Sequence, residues 1–319
     1  MTAAVATRLA YRETLLELAR ADPRIICLDA DVGGFEDTFG AELPDQYINV
    51  GIAEANMIGM SAGLASAGLL PFAHTISAFA SARACEQIKL DVAVPCAPVR
   101  IVVTHGGLSA GHYGPSHHAV EDLALLRVLP HLTIVVPADA DETVRATRAI
   151  AYHPGPVVLR LGRSPTAPVA ASATAEFRIG QAALLRDGSD VTLVATGPLA
   201  VGTALEAAAE LARTGIAARV LNMHTIKPID RAVLITAARE TAGIVTLEDH
   251  LRIGGLGGAV CEVVSEESPC PVRRIGIAED FVARTVGTEA ELLAEAGLTV
   301  RRAVTAAREV LHPTERRTS

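Results

Sequence analysis

A single carboxylate, Glu54, lies in a stretch that is otherwise built from apolar and small residues, NVGIAEANMIGM (49–60). The aliphatic and methionine side chains after it interleave with Ala and Gly, which predicts a closely packed, buried helix. The positive end of the helix dipole favours a carboxylate at the start of such a helix, whereas burial disfavours the charged form. Glu54 is therefore expected to be paired or chemically active, with a plain capping role as the alternative.

A second candidate for chemistry is the loop His105–His118, which holds four histidines and four glycines. Its spacing matches no closed zinc pattern, and we assign no metal ligand to this chain. Two interpretations remain besides a metal site. The loop is either a solvated, glycine-rich surface loop or a substrate loop whose imidazoles bind hydroxyl, carbonyl and phosphate groups.

Three further side chains have both a plain and a functional interpretation. Arg8 and Arg163 have no partner nearby in the sequence, and each taken singly is best interpreted as a solvated surface charge. Together with His105 they would form a phosphate pocket, because guanidinium groups match phosphate oxygens. Phe79 begins a predicted helix after a strand, and its ring either packs in the core or stacks on a planar cofactor.

The elements that would position these residues alternate between short apolar strands and helices. In the first half the strands are predicted at Arg24–Leu28, Leu70–Thr75, Val99–Thr104, Thr133–Val136 and Val157–Leu161. The helices there are predicted at Ala6–Arg20, from Ala55 onward, at Phe79–Val94 and at Ala140–Ala151. Ligands gather at the carboxyl ends of parallel strands, which is where the loop after Asp29 and the histidine loop lie.

The alternation restarts in the second half of the chain. Strands are predicted there at Val191–Ala195, Ala217–Leu221, Ile244–Leu247 and Val272–Ile277, and helices at Leu199–Arg213, Arg231–Arg239, Leu256–Ser265 and near Ala303–Leu311. The fold class is therefore α/β, with two doubly wound domains, a mainly parallel-sheet first domain and a smaller second one. Gly254–Gly258 does not fit G-x-G-x-x-G and is interpreted as a tight strand-to-helix turn.

A small, proline-containing and uncharged stretch, Ser164–Ala175, predicts a linker between the two domains. We place the first domain at 1–165, the linker at 166–178 and the second domain at 179–319.

Composition excludes several classes of function. With 319 residues, 50% hydrophobic and 3% aromatic, the core must be built from Ala, Val, Leu and Ile, which suits α/β layers. The net charge of −8 offers no footprint for nucleic acid or an anionic membrane. The five cysteines form no C-x-x-C pair, and no long apolar span or signal-peptide core occurs. We expect a soluble, cytoplasmic protein.

Six motifs, taken in order, resemble the C-terminal half of transketolase, that is, the pyrimidine-binding domain followed by the C-terminal domain. They are ATR (6–8), DAD (29–31), NVGIAEANMIGMSAGLA (49–65), PFAHTISAF (71–79), THGGLSAGHYGPSHHAVEDLALLRVLPHLTIVVPAD (104–139) and LRLGRSP (159–165). The resemblance covers nearly the whole chain, and GIAEANM and GPSHH are its most specific parts. It implies a thiamine-diphosphate-dependent transferase that moves a two-carbon ketol unit from a ketose or ketose phosphate to an aldose.

The resemblance also implies roles for individual residues at the cofactor. Glu54 would hydrogen-bond the aminopyrimidine ring nitrogen and so activate the cofactor. Phe79 would stack on that ring, and Ile76 would line the same site at a position where transketolases carry an aromatic residue. Asp31 matches an aspartate of the cofactor site, with a loop turn as the equally good alternative.

At the substrate, the resemblance assigns His117 to the carbonyl and hydroxyl groups, as a catalytic residue. Arg8, His105 and Arg163 match the positions that hold the sugar phosphate. Tyr113 departs from the family, because transketolases carry an aspartate there that contacts the hydroxyl next to the ketose carbonyl. A phenol is bulkier and normally uncharged, so we expect a non-standard ketose or acceptor.

The family binds the diphosphate through Mg²⁺, which is held by a Gly-Asp-Gly segment and an asparagine in a separate N-terminal domain. No Gly-Asp-Gly occurs in this sequence. Because the chain begins with Met and a plausible first helix, we expect a two-gene enzyme whose partner chain supplies the magnesium ligands. Two copies of each subunit would form a heterotetramer, and this chain alone would be inactive.

Three other interpretations stay open. A 2-oxo-acid dehydrogenase beta subunit shares features such as CEQIKLD (85–91), but its carboxylate substrate needs no phosphate pocket. Deoxyxylulose-phosphate synthase shares IKPID-like features (226–230), but it is one long chain and its arginine opposite Phe79 falls here on Ala82. A regulatory subunit without catalysis is disfavoured because Glu54, Phe79 and His117 occur together.

Overall fold

The structure is a computed structural model that describes residues 4–169, 176–281 and 286–312. Its strands, in chain order, are β1 (Val5–Ala6), β2 (Ile25–Asp29), β3 (Tyr47–Asn49), β4 (Leu70–Ile76), β5 (Arg100–Thr104), β6 (Thr133–Val135), β7 (Val157–Arg160), β8 (Pro165–Thr166), β9 (Ala183–Arg186), β10 (Val191–Ala195), β11 (Ala218–Asn222), β12 (Thr225–Lys227), β13 (Ile244–Leu251) and β14 (Val272–Ile277).

The α-helices are α1 (Thr7–Ala21), α2 (Glu54–Ser66), α3 (Cys85–Gln87), α4 (Asp122–Arg127), α5 (Ala140–Ala151), α6 (Pro198–Ala212), α7 (Arg231–Glu240), α8 (Leu256–Glu267), α9 (Glu289–Glu295) and α10 (Val300–Leu311). Short π-helical segments occur at Glu36–Gly40, Phe79–Arg83 and Ile88–Ala93, and 3₁₀ turns at Pro44–Gln46 and Gly111–Tyr113.

The larger sheet has seven strands in the order β12-β6-β7-β5-β4-β2-β3. The six strands from the first half of the chain all run parallel to one another. Apolar side chains of α2 and α4 cover one face of this sheet, and those of α1 and α5 cover the other. A parallel sheet that is covered on both faces is the doubly wound arrangement that the alternating pattern predicted.

The smaller sheet has five strands in the order β14-β13-β10-β11-β9, and only the edge strand β9 is antiparallel to its neighbour. Helices α6 and α10 pack on one face, while α7 and α8 pack on the other. The prediction of a second, smaller doubly wound unit is therefore confirmed. The short strands β3 and β9 and the helix α9 were not predicted.

The two units share one core. A single buried apolar cluster runs from α2 and α4 of the first unit to α7 and α8 of the second. Strand β12 belongs to the second half of the chain, yet it pairs antiparallel with β6 at the edge of the larger sheet. At its end, the Lys227 ammonium donates to the carbonyls of Arg127, the last residue of α4, at 2.8 Å, and of Leu129, two residues beyond the helix.

A buried ionic cluster also joins the two units. The Arg160 guanidinium, 3% exposed, donates to Asp122 and to Asp249 at 2.7 Å each. Ser77 donates to the same Asp122 carboxylate at 2.6 Å. Through Arg160 of β7 the cluster ties Asp249 of β13 to the larger sheet, and removing one member would leave a buried charge without a partner.

The segment Phe79–Val94, predicted as one helix, is broken into three pieces. The Ala84 amide donates to the Phe79 carbonyl five residues back, at 3.2 Å, which closes a π-helical turn. A short α-helix and a second π-helical segment follow. Apolar spacing alone does not separate an i+4 from an i+5 bond, so the sequence did not predict this break.

The predicted linker, 166–178, begins within ordered backbone. Strand β8 pairs with β1 at the start of the chain, and the Val169 amide donates to Asp139 at 2.7 Å. Residues 170–175 lie outside the part of the chain that the structure describes, and the domain limits 1–165 and 179–319 stay predictions.

The glycine-rich turn Gly254–Gly258 was predicted correctly as a strand-to-helix connection. The buried carboxylate of Glu248 accepts from the first amides of α8, Leu256 at 2.6 Å and Gly257 at 2.8 Å. A Cβ atom at Gly255 would lie 2.0 Å from Glu248 Oε2, so glycine is required there. In the described ranges, no helix is both long and apolar enough to cross a membrane.

Candidate active site

Side chains singled out in the sequence gather where five neighbouring parallel strands end. In sheet order these are β7, β5, β4, β2 and β3. The residues that follow them are Arg163 after β7, His105 after β5, Ile76 and Phe79 at and after β4, Asp31 after β2 and Glu54 after β3. Since all five strands point the same way, one edge of the sheet carries the whole set.

Glu54 is the first residue of α2 and is 1% exposed. Its carboxylate accepts a hydrogen bond from Arg83 Nη1 at 2.7 Å. The sequence predicted that a carboxylate in this position is paired or active, and the structure supplies a partner. Arg83 itself was not predicted, and its side chain is 48% exposed.

The Arg83 guanidinium also lies over the Phe79 ring, with the guanidinium carbon 4.3 Å from the ring centroid. Phe79 in turn meets the His117 imidazole edge to face, with ring centroids 5.1 Å apart. We refer to Glu54, Arg83 and Phe79 as the Glu54 site. It joins a buried acid, a planar cation and an aromatic face, with His117 alongside.

An aromatic strip extends from His117 along the histidine loop. Tyr113 stacks against His117 at 4.8 Å and against His112 at 4.0 Å between ring centroids. Tyr113 is 53% exposed, so its hydroxyl is free to meet a bound molecule. His112 Nδ1 lies 3.5 Å from Arg163 Nη1, which connects the strip to the arginine after β7.

Arg8, His105 and Arg163 form a second group, which we refer to as the basic cluster. Arg8 is brought to Arg163 because β1 pairs with β8 and because the Gly162 amide donates to Thr7 Oγ1 at 3.0 Å. His105 is held beside them because the Gly106 amide donates to the Leu161 carbonyl at 3.2 Å.

The members of the basic cluster lie close enough to shift one another's pKa values. Burial and the positive charges of Arg8 and Arg163 lower the pKa of His105 from 6.5 to about 4. Burial, Arg12 and Arg163 lower the pKa of Arg8. Among the described residues, neither Arg8 nor Arg163 forms an ion pair with a carboxylate. The charge of Arg163 does act on Glu289, whose pKa burial raises to about 7.

Two predicted cofactor residues lie at the same sheet edge without a polar contact to Glu54. Ile76 is half-buried at the last position of β4, where it pairs in register with Thr104 of β5. Asp31 is exposed and adopts a left-handed backbone with φ of 59°. That geometry fits the turn interpretation of Asp31 and leaves its cofactor role a prediction.

Arg83 was not predicted as a member of the site, and His112 was given no role of its own within the histidine loop. No motif marks Arg83, because an arginine on a helix is an ordinary surface residue. His112 lies within the quoted motif at 104–139, but only as one of the four histidines of the loop. The buried cluster of Asp122, Arg160 and Asp249 was not singled out either, because its ion pairs join residues far apart in the sequence. The residues described contain no group of three His, Cys, Asp or Glu side chains that could hold a metal ion.

Comparison with known families matches both units of the chain. Residues 3–168 match the model described as the transketolase pyrimidine-binding domain. Residues 180–303 match the model described as the transketolase C-terminal domain.

Individual relatives agree with these matches. The chain is 43% identical over 302 residues to the 6-deoxy-6-sulfo-D-fructose transketolase subunit SqwH of Clostridium sp. (strain MSTE9), covering 94% of this chain and 92% of that one. It is 40% identical over 296 residues to one of the subunits of the apulose-4-phosphate transketolase of Phocaeicola vulgatus, covering 92% and 94%.

A solved structure described as the inactive β4 tetramer of a split-gene transketolase superposes with a TM-score of 0.86 at 43% identity, covering 97% of this chain and 98% of that one. The chain therefore belongs to the transketolase family, as the subunit of a split transketolase that carries the pyrimidine-binding and C-terminal domains.

Proposed function

We propose that this subunit transfers a two-carbon ketol unit from a ketose, or ketose phosphate, to an aldose when it is joined to a partner chain and thiamine diphosphate. The family depends on that cofactor. The observation that carries the proposal is the Glu54 site. There the Glu54 carboxylate, in a residue that is 1% exposed, bonds the planar Arg83 guanidinium, which lies over the Phe79 ring.

The residues of the Glu54 site fit the aminopyrimidine ring of this cofactor. A planar guanidinium already bonds Glu54 and covers the Phe79 ring, so the space accepts a flat group that carries N–H donors. Bound thiamine diphosphate supplies an electron sink for breaking and forming a carbon–carbon bond. Glu54 would hydrogen-bond the ring nitrogen, while Phe79 and Ile76 would orient the ring.

The neighbouring side chains position the substrate. His117 touches Phe79 and reaches the carbonyl and hydroxyl groups of a sugar that lies next to the cofactor ring. The basic cluster binds an anionic group at the far end of that sugar, because its guanidinium and imidazole groups donate to tetrahedral anions. Asp31 completes the wall of the cofactor site.

Tyr113 directs the choice of sugar. It stands between His112 and His117 with half of its surface exposed, on the path between the Glu54 site and the basic cluster. The two relatives are named for a sulfo sugar and a sugar phosphate, each of which carries a terminal anion. We propose a ketose of that kind as donor, within carbohydrate metabolism.

The partner is a Gly-Asp-Gly-containing N-terminal subunit that provides the Mg²⁺ ligands and holds the diphosphate. Two copies of each chain form a heterotetramer with active sites at the interfaces. The related solved assembly of beta chains is described as inactive, which supports this dependence on a partner. The five cysteines are all free of disulfide bonds, which supports a cytoplasmic location.

Reconstitution tests the proposal. This chain is assayed alone and with a candidate Gly-Asp-Gly-bearing partner, with thiamine diphosphate, Mg²⁺ and a panel of ketose phosphates, sulfo sugars and 2-oxo acids. We expect ketol transfer only in the presence of both chains. Decarboxylation of a 2-oxo acid would assign the pair to the 2-oxo-acid dehydrogenases instead, and no turnover with any partner would favour a regulatory subunit.

A further inference from the structure

Arg83 occupies the space in which the Glu54 site would bind a cofactor ring. Its guanidinium donates to Glu54 at 2.7 Å and lies 4.3 Å from the centroid of the Phe79 ring. These two contacts, one to the buried carboxylate and one to the aromatic face, are the same two that the proposed aminopyrimidine needs.

The guanidinium takes one oxygen of Glu54, Oε2, and one face of the Phe79 ring. The face of Phe79 that Arg83 covers accepts one planar group, and the edge-to-face contact with His117 occupies a neighbouring part of the ring. In the described part of the chain, Arg83 is also the side chain that hydrogen-bonds Glu54. A cofactor ring that uses this same oxygen and this same face therefore has to displace Arg83.

We propose that Arg83 is an internal placeholder for the cofactor ring. In the cofactor-free subunit it neutralises Glu54 and covers Phe79, and it turns away when the cofactor binds. This inference rests on the proposed use of thiamine diphosphate at the Glu54 site.

The surroundings of Arg83 allow this exchange. Nearly half of its side chain is exposed, so the guanidinium regains water when it leaves Glu54. Glu54, by contrast, is buried and would be left as an uncompensated charge if Arg83 left without a replacement. Arg83 therefore stabilises the free subunit and weakens the binding of the cofactor by competition.

The first test measures thiamine diphosphate affinity. Isothermal titration with Mg²⁺ present compares the reconstituted complex containing the wild-type subunit with complexes containing Arg83→Ala or Arg148→Ala. Arg148 is a matched control, since it forms an exposed pair with Glu17 at 2.8 Å and is 47% exposed. Because Arg83→Ala removes a charged side chain that competes for Glu54, we expect the Kd for thiamine diphosphate to fall by up to about tenfold. We expect no change for Arg148→Ala.

A second test uses the isolated subunit and needs no cofactor. Arg83→Ala should lower the melting temperature by about 3 °C or more, because Glu54 loses its partner. Adding Glu54→Gln to that variant should recover most of the loss, since the buried group is then neutral. A structural role of Arg83 that is independent of Glu54 would not be rescued in this way.

The outcomes separate this inference from the proposed function. If the wild-type complex binds no thiamine diphosphate, the proposed function fails and the inference fails with it. If the wild-type complex binds the cofactor but Arg83→Ala binds it equally well or more weakly, only the placeholder is wrong. Tighter binding by Arg83→Ala, together with rescue by Glu54→Gln, supports the placeholder.

Discussion

The Glu54 site and the basic cluster differ in how their charges are balanced. Glu54 is buried and already paired with a cation from its own chain, Arg83. Arg8, His105 and Arg163 gather positive charge with no carboxylate bonded to either arginine in the described residues, and burial and mutual repulsion lower the pKa of His105 to about 4.

This difference indicates two modes of ligand binding. The Glu54 site must exchange one planar group for another, so its ligand competes with a built-in side chain. The basic cluster binds an anion without displacing a side chain, and the bound anion relieves the repulsion among its positively charged groups. We expect substitutions in the first region to affect chemistry and those in the second to affect the binding of charged substrates.

The largest effect is expected at the acid. Glu54→Ala should lower ketol transfer by the reconstituted enzyme by about 10³-fold or more, because the group that shares a proton with the cofactor ring is lost. The measurement is kcat at saturating donor and acceptor. Glu86→Ala, an exposed acid seven residues after Phe79, is the control and should keep full activity. A Glu54→Ala enzyme with nearly normal kcat would contradict the assigned role.

The basic cluster should show a different signature. Arg163→Ala is expected to raise KM for an anionic ketose roughly 10- to 100-fold, since it removes a charged donor to the terminal anion. For a ketose without an anionic group, KM should change little. Arg213→Ala, at the exposed end of α6, serves as the matched control. Equal losses with charged and uncharged donors would show that Arg163 does not bind the anion.

Tyr113 should have a smaller effect, on selectivity. Tyr113→Asp is expected to change the ratio of kcat/KM between two ketose phosphates that differ in configuration next to the carbonyl by roughly 5- to 10-fold. Tyr113→Phe separates the hydroxyl from the ring and should change that ratio less. An unchanged preference in Tyr113→Asp would remove Tyr113 from the choice of substrate.

The smallest effect concerns stability and pH. The pKa of His105 is lowered to about 4 in the folded chain, against 6.5 as its ordinary value. Between pH 6.5 and 4 the unfolded chain therefore binds a proton at His105 that the folded chain does not, and acid favours unfolding. His105→Asn should reduce the loss of unfolding free energy between pH 7 and 4.5 by on the order of 2 kcal/mol.

Buried His74 and His224, with pKa values of about 3 and about 4, also lower the unfolding free energy as the pH falls, and they do so equally in wild type and in His105→Asn. The informative quantity is therefore the difference between wild type and His105→Asn in denaturant titrations at each pH. His312→Asn, at the exposed end of α10, is the control. Parallel pH curves for wild type and His105→Asn would contradict the burial-induced shift.

The sequence predicted the parts of the molecule that depend on local pattern. Alternating apolar runs gave both doubly wound sheets, and the lone acid in NVGIAEANMIGM gave the first residue of a buried helix. Strand β12 escaped prediction because three residues make no periodic signal and its pairing with β6 joins positions about ninety apart. The π-helical turn at Phe79 was not predicted, because apolar spacing does not distinguish backbone hydrogen bonds between residues four and five apart.

For the candidate site, the positions of Glu54, Phe79 and His117 followed from motifs, whereas their contacts did not. Arg83 reaches Glu54 from 29 residues away, and nothing in its neighbours distinguishes it from other exposed arginines. His112 meets Arg163 only because β5 and β7 are adjacent in the sheet. Such long-range contacts depend on the assembled fold.

The most direct test is the structure of the reconstituted complex with thiamine diphosphate and Mg²⁺ bound. We predict a Glu54 carboxylate oxygen within about 2.6–3.2 Å of the aminopyrimidine ring nitrogen, the Phe79 ring against that ring, and the Arg83 guanidinium turned toward solvent. A cofactor ring bound away from Glu54, with Arg83 still bonded to the carboxylate, would contradict the account.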